Sequence, residues 1–224
     1  MMHAPPASDW IVWQLADSAF PTGVFAHSYG LEAAHQLGEV VDTAGLTRFL
    51  RASLWQAGHA VLPLVNAAHR APHRFAELDR LAEVFLTNRV ANRASRVQGR
   101  TLAATCARVW PDDTLTAFER SARRSHAHVA PVTGVALRYL GAPLPVAQRI
   151  VLFVTSRGVL SAAVRLGLAG SYEAQQMQAQ CAAELDAVLA RCADFDEHDL
   201  AQAAPLIDLL QAGHDRLYSR LFQS

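Results

Sequence analysis

Apolar residues recur at spacings of three and four along most of this chain, a period that leaves little room for anything but helices. Leu46, Phe49, Leu50 and Leu54 fall at i, i+3, i+4 and i+8, on one face of a helix that Asp42 or Thr43 can cap. Phe75, Leu78, Leu81, Ala82 and Phe85 make a second stripe, and Met177, Cys181, Leu185, Val188 and Leu189 predict one long amphipathic helix over 172–192. Residues 145–168 are apolar nearly all round, as a buried central helix requires, with Gly158 a candidate break. Strand signals are nearly absent: there is no Asn-Gly hairpin and no sustained alternation of β-branched residues. The pattern predicts an all-α fold, about ten helices in a single domain over 9–224 around an apolar central helix. A loose Pro-rich tail is expected at 1–8.

Breakers and caps set the other boundaries. Trp10–Ala19 reads as a helix ending before Pro21, and Ser28–Leu37 as a second one stopped by Gly38. Pro63 is expected to bend or restart the helix running from His59 to Arg70. Pro111-Asp112-Asp113 is a helix start, and 125–133 an irregular stretch leading into a helix over 134–140. Asp196 with Asp199 resembles a capping box, and Pro205 opens a helix expected to reach Leu221.

The helical monotony is interrupted once by a stretch dense in polar and small residues, Asp17-Ser18-Ala19-Phe20-Pro21-Thr22-Gly23-Val24-Phe25-Ala26-His27-Ser28-Tyr29-Gly30-Leu31-Glu32. Pro-Thr-Gly suits a tight reversal. Beyond it Phe25, His27, Ser28, Tyr29, Gly30 and Glu32 crowd into about two turns of chain. The plainest reading is a corner between helices, with Ser28 as a cap. A second takes Ala26-His27-Ser28-Tyr29-Gly30 as a relative of the Gly-x-Ser-x-Gly elbow and Ser28 as the nucleophile of a serine hydrolase. That elbow needs a strand ahead of the serine, and only Val24-Phe25 are there to supply one. A third reading is a recognition surface.

Composition excludes several chemistries. Every basic residue other than histidine is Arg. Without Lys there is no Walker A loop, no pyridoxal phosphate aldimine and no Schiff-base aldolase. Twenty Arg balance twenty Asp and Glu, so nothing draws the whole chain to nucleic acid or an anionic membrane. Cys106, Cys181 and Cys192 are widely spaced and suit small apolar core positions in a reduced compartment. The first residues lack the basic start and apolar core of a signal peptide, so a cytoplasmic protein without membrane attachment is expected.

Arg89, Arg93, Arg96 and Arg100 recur at i, i+4, i+7 and i+11, four guanidiniums on one helical face. They form either a solvated face or a docking stripe for an acidic partner or phosphate; a nucleic-acid-binding module is a further alternative that lacks interleaved aromatics. His126 and His128 with His27, His35, His59, His69 and His73 offer imidazoles, but no His-x₃-His or Cys-x₂-Cys spacing supports a metal site. Arg157 and Arg165 sit in the most apolar segment, where a charge has to be paired or exposed at a groove. The closing Leu217-Tyr218-Ser219-Arg220-Leu221-Phe222 is apolar enough to dock on its own domain or on another subunit.

Four of these segments, 17–32, Asn92-Arg93-Ala94-Ser95-Arg96-Val97-Gln98-Gly99-Arg100, Ser161-Ala162-Ala163-Val164-Arg165-Leu166-Gly167-Leu168 and 217–222, together resemble the UreF family of urease accessory proteins. The resemblance implies an all-α protein that is not itself an enzyme and has no catalytic residues. It implies work with UreD (also called UreH) and the GTPase UreG to deliver nickel to the urease apoprotein, with regulation of that GTPase and a homodimer in the complex. It implies no cofactor held by this chain, since the complex handles the nickel, and no nucleic-acid or membrane partner. Carried over residue by residue, Asp17, Ser18, Pro21, Gly23, Phe25, His27, Ser28, Tyr29, Gly30 and Glu32, with Arg93, Gln98, Gly99, Arg100 and Arg165, would form or support the partner-facing surface. Tyr218 and Arg220 on a C-terminal helix would dock on UreD.

Overall fold

The computed structural model describes residues 9–22 and 26–224. The tail 1–8 and the positions Gly23, Val24 and Phe25 lie outside the described residues, and so do the expectations placed on them. The described residues form twelve α-helices and no strand. These are α1 (Asp9–Ala16), α2 (Leu31–Gln36), α3 (Thr43–Ala60), α4 (Leu62–Arg70), α5 (Phe75–Phe85), α6 (Arg89–Val109), α7 (Asp113–Arg123), α8 (Val129–Tyr139), α9 (Leu144–Arg165), α10 (Ser171–Gln180), α11 (Ala182–Cys192) and α12 (Pro205–Ala212). The all-α expectation holds.

Helix starts fall where short polar side chains can satisfy free backbone N–H groups. Asp42 accepts from the Gly45 amide at 2.7 Å, Asn88 from Val90 and Ala91, and Asp112 from Thr114 and Leu115. The bond from Thr114 leads in holding the Asp112 carboxyl below its usual range. Pro63 does restart the chain, at Val61 between α3 and α4. Having no N–H, it leaves the His59 carbonyl without its helical donor. The Ala201 amide takes that carbonyl at 3.1 Å and ties the loop before α12 to the core.

At the centre lies α9, packed by α3, α4, α10, α1, α2 and α11. It is the one helix among the described residues with the length and hydropathy of a membrane span, and here it is wrapped by other helices. It runs unbroken through Gly158. A Cβ there would stand 2.6 Å from the Tyr29 ring, so the glycine serves a close approach rather than a break. Asn66 and Gln148, both buried, tie α4 and α9 to the carbonyls of Ala193 and Phe195.

Several boundaries differ from those the sequence predicts. The helix before Pro21 stops at Ala16, where the Asp17 carboxylate begins a turn by accepting the Ala19 amide at 2.9 Å. Residues 172–192 are two helices meeting at Cys181, although i to i+4 bonds continue on both sides of it. The irregular stretch ends sooner, and α8 begins at Val129. Its start is organised by Asp79, a buried carboxylate that accepts the His126, Ala127 and His128 amides at 2.9, 3.1 and 2.7 Å. Finally, the helix from Pro205 ends at Ala212. A 3-10 turn covers Gly213–Arg216, and no helix follows it, so the expected C-terminal helix is replaced by a non-helical strap over 217–224.

Candidate functional site

The strap lies against the polar corner of its own chain. Its backbone amides at Leu221 and Phe222 donate to the Glu32 carboxylate at 2.6 and 3.2 Å, and the His214 ring nitrogen Nε2 meets the same carboxylate at 2.9 Å. Glu32 sits on α2 one residue after Leu31, and both side chains are buried, as is His214. A carboxylate so far from water needs its lone pairs filled, and the strap fills them. Further along, the Gln223 amide donates to the Ala26 carbonyl at 2.8 Å. The Ser28 amide and hydroxyl both donate to the Ser224 carbonyl, at 2.6 and 3.0 Å.

Ser28 is therefore not the helix cap. Gly30 precedes α2 at φ +87° and no side chain caps it. Nor does the surrounding geometry suit a nucleophile. The Ser28 hydroxyl is spent on a backbone carbonyl, and the neighbouring His27 ring faces the Ser224 hydroxyl instead, Nδ1 to Oγ 2.6 Å. Val24-Phe25, which would have to be the elbow's strand, lie outside the described residues.

His27 is buried, and burial is the first cause of a pKa pushed down to about 4, with the charges of His214 and Arg93 adding to it. Burial likewise lowers His69 and His128. All three imidazoles are neutral in the fold near neutral pH, while the unfolded chain takes up protons below about pH 6.5. Between about 6.5 and about 4 the unfolded state binds more protons, so stability falls as the pH falls. The urea midpoint is expected to be lower at about pH 5 than at about pH 7, and a His27→Leu chain should show less of that dependence. A midpoint flat across this range would contradict the burial of these rings.

The other side of the strap reaches α9 and α6. The Arg165 guanidinium lies 4.1 Å over the Phe222 ring. Just before the strap, Asp215 accepts a two-pronged bond from Arg93, at 2.8 and 3.1 Å, with Arg220 at 3.5 Å. The Arg93 bond is the main reason the Asp215 carboxyl titrates below its usual range. Gln36 on α2 donates to the Ser219 carbonyl at 3.0 Å. Tyr218 projects fully into solvent.

Around the corner, the Tyr29 ring packs on α9 at Gly158, and burial raises its hydroxyl to about 12. Arg157, which the sequence leaves needing a partner, donates to the Ala16 carbonyl at the end of α1 and lies 5.8 Å over the Phe153 ring. Thr105 of α6 holds the Pro21 carbonyl at 2.9 Å. Asp17, Ser18 and Pro21 are exposed.

On α6 the four arginines do share one face, which borders a groove of about 630 Å³ with Glu83, Leu86, Thr87, Asn92 and Val97. Of the residues that the resemblance places on a partner-facing surface, Gln98 and Gly99 are not on that face. Both are buried, and Gly99 lies against the Ala127–His128 turn that leads into α8. Arg100 is exposed. The corner thus joins His27, Ser28, Glu32 and Arg165 to the strap, and Arg93 and Arg220 meet at Asp215.

Three participants escape sequence reasoning: His214, Asp215 and Ser224. A charge at Glu32 on an otherwise apolar helix face signals a hidden partner, but nothing in the sequence chooses His214 among ten histidines. Among the described residues no three of His, Cys, Asp and Glu converge as a metal would require.

Comparison with known proteins places these features in context. A family model described as UreF matches residues 40–182, which takes in α6 and α9 but not the corner or the strap. Urease accessory protein F of rice (Oryza sativa subsp. indica) is 38% identical, covering 95% of this chain and 84% of the relative. Its Arabidopsis thaliana counterpart is 36% identical over 100% of this chain and 96% of its own. Urease accessory protein UreF of Mycobacterium tuberculosis is 33% identical over 96% and 98%.

Proposed function

The chain belongs to the UreF family and so to urease maturation, and from that premise we propose that it is a non-enzymatic scaffold. In this reading it links UreD (UreH) to the GTPase UreG in the cytoplasm, works as a homodimer, modulates GTP hydrolysis by UreG, and so supports passage of nickel, the cargo, into the urease apoprotein. One observation supports it above the rest. The four segments that carry the family likeness lie far apart in sequence, yet three of them meet at the fourth. The strap touches Glu32 of the first through its amides, Arg165 of the third through Phe222, and Arg93 of the second through Arg220 and Asp215. Packing alone asks for no such gathering of charged and exposed groups at one place. Tyr218, solvated on all sides, supplies an aromatic side chain free to enter a partner's pocket.

Co-purification with UreD and UreG homologues tests this reading. His27→Ala and Arg93→Glu are expected to reduce capture of UreG severalfold while leaving helix content by circular dichroism unchanged, and Tyr218→Ala to reduce capture of UreD. Capture indifferent to all three substitutions would place the working surface elsewhere. Full nickel occupancy of urease in cells lacking this gene would remove the scaffold role altogether.

A further inference from the structure

The α6 arginines are not equally engaged. Arg93 holds Asp215, and Arg96 is 3.9 Å from Glu83, whose carboxylate is already shared by His128 at 2.8 Å, His126 at 3.4 Å and the Asn92 amide. Arg89 and Arg100, at the two ends of the row, have no carboxylate partner among the described residues. They are eleven residues apart, about 16 Å along the helix axis. Between them Val97 is 43% exposed and Leu86 is half-buried, so the groove alternates charge with apolar surface.

We infer that this groove is a seat for a carboxylate-bearing stretch of a protein partner, and that Asp215 fills one of its positions from within the chain. The inference rests on the scaffold reading above and specifies what the arginine row would hold. The Arg93–Asp215 fork shows that the row accepts a carboxylate in the geometry guanidinium favours. The exposed valine suits a side chain lying across the groove. A sugar–phosphate strand would instead want aromatic faces beside the arginines, and this face has none. Because Asp215 takes the Arg93 fork, an incoming carboxylate has to displace it or settle for Arg89, Arg96 and Arg100.

Fluorescence anisotropy of a labelled decaglutamate peptide with the full chain tests this directly. Saturable binding is expected, weakening as salt rises from about 50 to 300 mM as screening shortens the range of the charges. The double variant Arg89→Glu/Arg100→Glu should weaken it by about tenfold or more, and the neutral Arg89→Gln/Arg100→Gln pair less, in that order. Asp215→Asn should strengthen binding, with the three bonds to Glu32 still holding the strap. A ten-nucleotide oligothymidylate and inorganic phosphate should each compete poorly. No binding, indifference to the double variant, or an oligothymidylate that binds as tightly as the peptide would each overturn the carboxylate seat, and an Asp215→Asn chain no stronger than the parent would overturn the internal occupant. A chain that ignores decaglutamate yet captures UreD and UreG sinks this inference alone; one that binds decaglutamate yet captures neither sinks the scaffold reading alone.

Discussion

Gly99→Ala is expected to lower the free energy of unfolding by about 4 kcal/mol or more, the range reserved for changes the packing cannot absorb. The added Cβ would overlap the Ala127 carbonyl oxygen and stand 2.9 Å from both the Ala127 and His128 carbonyl carbons. These are backbone atoms, so no rotamer change relieves the overlap. The turn cannot retreat either, because the buried Asp79 carboxylate grips its three amides and Ala127 is already held at φ +60°. Either α6 separates from the start of α8 or the turn abandons Asp79, leaving a buried charge without its donors. Urea unfolding followed by circular dichroism measures the loss, with Val97→Ala, on the exposed face two residues away, as a control within about 0.5 kcal/mol of the parent. A Gly99→Ala chain with the parent's midpoint would mean that α6 and the turn are far less tightly joined than their geometry requires.

Glu32→Ala should cost about 3–5 kcal/mol, as expected for removing one side of a buried charged contact. It strips the acceptor from the Leu221 and Phe222 amides and from His214 in one step, and leaves two buried donors and the half-buried Leu221 amide facing a void. The loss is local in its first consequence: hydrogen exchange should reveal the amides of Leu221, Phe222 and Ser28 unprotected while those of α9 remain protected. Glu32→Gln is expected to be milder. Its carbonyl oxygen can still accept from one of the three donors. Equal protection of the strap in the parent and in Glu32→Ala would show that Glu32 does not hold it.

The bundle was largely legible because its cues are local. Asp42, Pro63, Asp112 and the i, i+3, i+4 stripes each act within a turn or two of chain, and each lies where its chemistry predicts. Errors cluster where a distant group intervenes. Gly158 looks like a helix breaker until the Tyr29 ring is seen to occupy the space of its missing side chain. Nothing local in the sequence shows that the space beside Gly99, in a row of four arginines, is taken by the Ala127 carbonyl. The strap reads as helix because Leu217, Leu221 and Phe222 keep an amphipathic rhythm. Its backbone instead hands two amides to Glu32, about 190 residues earlier, and no local pattern can announce that exchange.

That exchange has a consequence for assembly order. Ser28 and Ser224 meet across 196 residues, and closing so long a span is slow and unrewarded until the helices between them are already arranged. The clasp at Glu32 is thus expected to close late, after the helices between the two serines have packed. Anything that grips the closed corner would then discriminate, without a separate checkpoint, between completed copies and those still in the making.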